Sequence, residues 1–158
     1  MDNENMITEV DLNAVDVSRQ LLAPGAIQLE LKKAEAVSTK DGQGTNLKLS
    51  FVNVRPERYE DGETAPAGAV FINHNILATP KGKMTRAQVQ RALGELIQAV
   101  GGIAGAKDTN LSEWVPSLQG RVCNAQIAVE EEKRDKLDES KVYPRKNKIS
   151  YFIIPKRS

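Results

Sequence analysis

Strict alternation of apolar and polar positions opens the interpretable part of the chain. After Pro24-Gly25, Ile27, Leu29 and Leu31 alternate with Gln28, Glu30 and Lys32. A period of two sends successive side chains to opposite faces of a strand, so this run predicts a half-buried first strand. A turn-rich segment, Ser38 to Gly44, leads to a second run in which Leu47, Leu49 and Phe51 interleave with Lys48 and Ser50 before passing into Val52 and Val54. The two runs predict a hairpin. Arg55 to Ala67 contains Pro56, Gly62 and Pro66 with Glu57, Glu60, Asp61 and Glu63, and reads as a long exposed loop; Ala69 to His74 resumes as a third strand.

The period then changes. Between Thr85 and Val100, Val89, Leu93, Leu96, Ile97 and Val100 share one stripe, with Arg86, Gln90, Arg91, Glu95 and Gln98 opposite, which predicts an amphipathic helix. Thr85 and Gln88 have capping-box spacing, and Gly101-Gly102 supplies the stop. A short helical turn is expected near Ser112 to Val115, ended by Pro116 and anchored by Trp114 and Leu118. Val122 to Val129 and Ile149 to Ile154 predict strands four and five, separated by Glu130 to Glu139, whose one apolar residue is Leu137 and which reads as a solvated loop. The expected fold is mainly β with one main helix. Five strands with a helix between the third and fourth match the OB-fold, a five-stranded Greek-key barrel whose ligand surface is strands two and three with the loops joining strands one to two and four to five. The alternative is an open α+β sandwich with the same elements paired differently.

A length of 158 residues fits one domain. Charge divides the chain more sharply than its net value of +1 indicates. Residues 1–20 carry Asp2, Glu4, Glu9, Asp11 and Asp16 against Arg19, and are expected to be a flexible acidic leader to a domain spanning 21–158. From Lys141 onward the charges are Lys141, Arg145, Lys146, Lys148, Lys156 and Arg157, without an acidic residue. One cysteine, Cys123, excludes an intramolecular disulfide, and His74 beside it does not make a zinc cluster. There is no signal-like N-terminal stretch and no apolar run long enough for a membrane helix, so the expected location is the cytoplasm, away from membranes.

Catalytic chemistry has few candidates. His74 lacks a partner signature, Cys123 lies within a strand next to Val122 where a small core residue fits, and no glycine-rich phosphate loop precedes a helix. Glu30-Leu31-Lys32 has the spacing of a metal-dependent nuclease motif, but its upstream carboxylate would have to come from Asp11 or Asp16. The expectation is therefore no enzyme, no cofactor and no metal. A binding surface is better represented, since single-stranded nucleic acid is held by cations along its backbone and by aromatic faces under its bases. The candidates are Lys32, Lys33, Lys48, Arg55, Arg58 and Tyr59, then Phe71, and then Tyr143, Arg145, Lys146, Lys148 and Tyr151. Phe51 and Phe152 are expected in the core by register. Tyr151, in register with Ile149 and Ile153, is expected in the core or at a barrel rim; Tyr59 and Tyr143 lie in polar loops, and Phe71 could face either way.

Several motifs carry a resemblance. Pro24-Gly-Ala-Ile-Gln-Leu-Glu-Leu-Lys-Lys-Ala-Glu35, Gly44-Thr-Asn-Leu-Lys-Leu-Ser-Phe-Val52, the helix from Val89 to Val100, Leu118-Gln-Gly-Arg-Val-Cys-Asn-Ala-Gln-Ile127 and Asn147-Lys-Ile-Ser-Tyr-Phe-Ile-Ile-Pro155 together resemble the OB-fold single-stranded DNA-binding proteins of tailed bacteriophages. The resemblance spans roughly Leu21 to Pro155 and implies a protein of the bacterial host cytoplasm that coats single-stranded DNA without sequence preference in phage replication or recombination. Single-stranded DNA and replication or recombination proteins are then its implied partners, and self-association into a homo-oligomer is left open. Two features depart from the pattern: the acidic segment is N-terminal rather than C-terminal, and the aromatic content of 4% shifts the expected binding toward charge. Two other classes remain open, a protein-interaction module using the loops Arg55 to Ala67 and Glu130 to Arg145, and a metal-dependent nuclease.

Overall fold

A computed structural model of the protein describes residues 11–14, 20–39, 42–80, 84–134, 137–138 and 140–155. Most of the acidic leader lies outside these residues. In chain order the elements are β1 (Gly25–Ser38), β2 (Thr45–Asn53), β3 (Glu57–Arg58), β4 (Thr64–Ala65), β5 (Phe71–Leu77), α1 (Arg86–Ala99), α2 (Leu111–Trp114), β6 (Val122–Glu130), β7 (Lys133–Arg134), β8 (Val142–Tyr143) and β9 (Lys146–Ile153). Five of the strands form one antiparallel sheet in the order β5-β2-β1-β6-β9, and β3-β4 and β7-β8 form two small separate ladders. The chain is thus mainly β. No helix among the described residues is long and apolar enough to cross a membrane.

Alternation builds one continuous apolar face. Ile27, Leu29 and Leu31 from β1, Leu47, Leu49 and Phe51 from β2, Ile72 and Ile76 from β5, and Cys123, Ala125 and Ile127 from β6 are all buried in the core. The long first strand keeps this face only because its register shifts between Leu31 and Lys33. Lys32 is the extra residue of a bulge, so the next inward position is Ala34 and the lysines stay outside. Strand β1 pairs with β6 over Gly25 to Glu30 and with β2 from Leu29 onward. One bent strand therefore joins the two halves of the sheet.

Helix α1 closes the open end of the core. Thr85 Oγ1 accepts from the Gln88 amide at 3.2 Å while Gln88 Oε1 accepts from the Thr85 amide at 2.9 Å, and Gly101 stops the helix at φ 92°. The helix buries Val89, Leu93, Leu96 and Ala99 and packs against β5 and β9. Those two strands are the edges of the sheet, and they approach each other: the Phe152 ring stands 5.4 Å edge-on from His74 and 5.9 Å from Phe51. Side chains, not a backbone ladder among the described residues, bring the edges together, so the sheet remains open in its hydrogen bonding.

Two segments expected to be loops contain structure. Within Arg55 to Ala67, β3 pairs with β4, and the buried Asn53 holds the segment's two ends: its Nδ2 donates to the carbonyls of Arg55 and Pro66, both at 2.9 Å, and its Oδ1 accepts from the Val70 amide at 3.2 Å. In the charged connection, Lys133 and Arg134 pair with Tyr143 and Val142 as a short arm. Strand β9 begins at Lys146, three residues before the expected Ile149, and a second register shift occurs opposite Gln126 and Ile127.

A further buried amide ties the start of the domain to its last strand. Leu22, 1% exposed, donates its amide to Asn147 Oδ1 at 2.8 Å, and Asn147 Nδ2 donates back to the Leu22 carbonyl at 3.0 Å. The side chain thus stands in for a strand partner. Replacing Asn147 by Ala leaves both backbone groups of Leu22 without it, and is expected to lower unfolding free energy by about 1 to 3 kcal/mol in urea titration, with the denaturant slope unchanged.

Candidate functional site

Because Leu47, Leu49, Phe51, Ile72 and Ile76 point inward, their neighbours on β2 and β5 point out. The outer face carries cross-strand rows: Phe71 beside Val52 and Glu30, Asn73 beside Ser50 and Lys33, and Asn75 beside Lys48 and Glu35. Ser50 and Asn73 are hydrogen-bonded at 2.8 Å. On the opposite edge, Lys146, Lys148 and Tyr151 of β9 lie beside Glu130, Ala128 and Gln126.

Curling of the sheet brings parts of these two edges around one cleft. It has a volume of about 510 Å³ and is lined by Tyr59, Phe71, Asn73, Lys146 and Asn147 together with Gln20 and Leu21. A neighbouring cleft of about 810 Å³ lies under the β7-β8 arm, between Glu130 to Lys133 and Val142 to Lys146, with Leu21 at its base. Leu21 and Lys146 belong to both, so the two clefts adjoin.

The aromatic candidates separate clearly by burial. Phe71 is 64% exposed, Tyr151 57% and Tyr143 54%, whereas Phe51 is fully buried. Tyr151 corrects the register argument: the shift in β9 leaves both Ser150 and Tyr151 exposed after the buried Ile149, so Tyr151 no longer shares the face of Ile149. Tyr59 departs from expectation in the other direction. It bridges to Leu22, is half-buried and packs against the core.

The cations differ in how far they are already neutralised. Lys32 pairs with Glu30 at 2.8 Å and Lys33 with Glu35 at 3.4 Å, both outside the two clefts. Arg145 holds Glu60 at 2.8 Å and Glu131 at 3.0 Å, while Lys146 stands 3.7 Å from Glu130. Bonding to Glu60 and then to Glu131 raises the Arg145 pKa. The Glu130 carboxyl lies below its usual range, chiefly through its bond to Lys133 and also through the charges of Lys146 and Lys148. Lys48, Arg55, Arg58 and Lys148 form no ion pair among the described residues. Arg58 lies apart from the clefts, in a groove with Pro24, Pro56 and Thr64.

Sequence reasoning passed over Asn73 and Asn147, which share the cleft with Phe71 and Lys146. Asn73 carried a usable signal, since it alternates with the inward Ile72. Asn147 carried none, because its role depends on a partner 125 residues away.

Nucleophile and metal chemistry are weakly represented. Burial pushes the Cys123 thiol up to about 12, which keeps it protonated at neutral pH. No group of three His, Cys, Asp or Glu among the described residues is placed to hold a metal ion. The chain matches no protein-family model and no curated protein.

His74 sits where the edges meet, and burial lowers its pKa below 6.5. The unfolded chain therefore takes up this proton first as the pH falls. Stability contributed by the neutral ring is complete above 6.5 and declines below it until the folded-state value is passed, at a rate of at most about 1.4 kcal/mol per pH unit for one proton. Urea midpoints at pH 7.5 and 5.5 should differ in the parent protein, and His74→Gln should narrow that difference.

Proposed function

We propose that the protein binds single-stranded DNA without catalysing a reaction, using the outer face of β2 and β5, the adjoining edge of β9 and the β7-β8 arm. The observation that carries this reading is that Phe71 and Tyr143 line adjoining clefts that share Lys146, with a third exposed ring, Tyr151, on the same strand as that lysine. Of the chain's three Phe, three Tyr and one Trp, the rings of Phe71, Tyr143 and Tyr151 are more than half exposed, although burying them would stabilise the fold. Bases stack on such rings, and cations follow the phosphates.

The strand order supports an OB-fold assignment. With β1, β2, β5, β6 and β9 taken as the five barrel strands, the helix falls between the third and fourth, and the meeting edges are the third and fifth. The resemblance to phage single-stranded DNA-binding proteins supports a role in phage replication or recombination in the bacterial cytoplasm, with replication or recombination proteins, or further copies of this chain, as partners. A protein-binding role for the arm is favoured by one observation, the carboxylates of Glu130, Glu131 and Glu132 lining its cleft, which repel phosphate.

The test is a titration of fluorescent oligo-dT at several salt concentrations with duplex competitor. Binding should weaken with salt, and Tyr143→Ala or Phe71→Ala should each cost about 1 to 3 kcal/mol while leaving the salt slope unchanged. Lys48→Ala and Lys148→Ala should each lower that slope by about 0.7 if the lysine contacts one phosphate. A flat salt response or tighter binding to duplex counts against the proposal and favours the protein-binding role.

A further inference from the structure

Among the described residues, Arg145 is the cation that holds two carboxylates at hydrogen-bond distance. Its Nη2 donates to Glu60 Oε2 at 2.8 Å and its Nε to Glu131 Oε2 at 3.0 Å. Glu60 lies 85 residues away on the β3-β4 hairpin, while Glu131 directly follows β6 in the connection leading to the β7-β8 arm, so one guanidinium joins the hairpin to the base of the arm. Carboxylate oxygens occupy the donor positions that phosphate oxygens would take, because a guanidinium presents the same planar fork to both anions.

We infer that Glu60 and Glu131 are internal competitors of the nucleic-acid phosphate, and that a strand engages Arg145 by exchanging places with them. The inference rests on the proposed single-stranded DNA binding and adds its regulation. The competitors are tethered, so they act at high effective concentration, and a single weakly bound anion gains little by displacing them. A strand that also engages Lys146 and Lys148 draws on several contacts at once. Lys146 is the more readily released of the two paired cations, since its carboxylate lies 3.7 Å away. Exchange also releases the β3-β4 hairpin from the arm. Tyr59, next to Glu60 on that hairpin, lines the adjoining cleft, so the exchange takes place beside the cleft that holds Phe71.

The test compares three proteins: the parent, Glu60→Gln with Glu131→Gln, and a control carrying Glu57→Gln with Glu63→Gln. The control removes the same charge from the chain without touching Arg145. Fluorescence anisotropy with oligo-dT at low salt should show the Glu60/Glu131 variant binding about fivefold tighter than the parent, the scale expected for releasing exposed ion pairs. Its salt slope should be steeper by about 0.7, because a cation formerly neutralised within the protein now displaces a counterion. Thermal unfolding checks that each protein is folded, and if the double variant lacks a transition, Glu60→Gln and Glu131→Gln singly should each give part of the gain. A double variant that binds no tighter than the control overturns the exchange while leaving DNA binding intact. If none of the three proteins binds, the proposed function itself fails.

Discussion

A sheet with one apolar face must bury that face, and among the described residues a single long helix is there to cover it. Helix α1 packs near β5 and β9 and the turn at Val115–Leu118 packs on β1, and the rest of the apolar surface is buried by curling the sheet onto itself. Curling requires a strand that can serve both halves. Strand β1 does so through the bulge at Lys32, which bends the strand without rotating its apolar side chains out of the core. The positions of Phe51, His74 and Phe152 follow from that bend, since these rings meet where the two edges approach.

The same geometry determines what the outside offers. The outer face is only locally covered, at Val52, and Phe71 and Tyr151 remain exposed there among amides and lysines. The charges on this surface are nevertheless restrained. Arg145, Lys146 and Lys133 each face a carboxylate, whereas Lys48 and Lys148 on the strands carry no ion pair among the described residues. Lys48 and Lys148 thus present open charge while the arm and its base present compensated charge, a distribution that a net charge of +1 conceals.

What could be read from the sequence was what depends on neighbouring residues. The period-two runs located β1 and β2, and the capping box and paired glycines located both ends of α1. Phase errors arose at bulges. One extra residue in β9 turned Tyr151 outward, although its spacing from Ile149 and Ile153 placed all three together. Local composition also concealed the two buried amides. Asn53 and Asn147 resemble ordinary turn and strand-start residues, yet each completes backbone hydrogen bonds for a segment that composition marks only as polar loop or leader. Tyr59 was misplaced for the same reason, because the hairpin that packs it against the core is held by Asn53. Closure of the expected barrel was not legible either: pairing between distant edges is set by curvature, and here the edges meet through side chains rather than a ladder.

The tie between Leu22 and Asn147 also sets when the cleft comes into existence. Hairpin β1-β2 and the β3-β4 ladder join nearby segments and close short loops, whereas this tie closes a loop of 125 residues. During synthesis the first strands leave the ribosome long before β9 has been made. Leu21, Tyr59 and Phe71 therefore wait as separate surfaces until Lys146 and Asn147 arrive to complete the wall. A partly made chain has the rings but not the cleft, whose wall is complete only once β9 is in place.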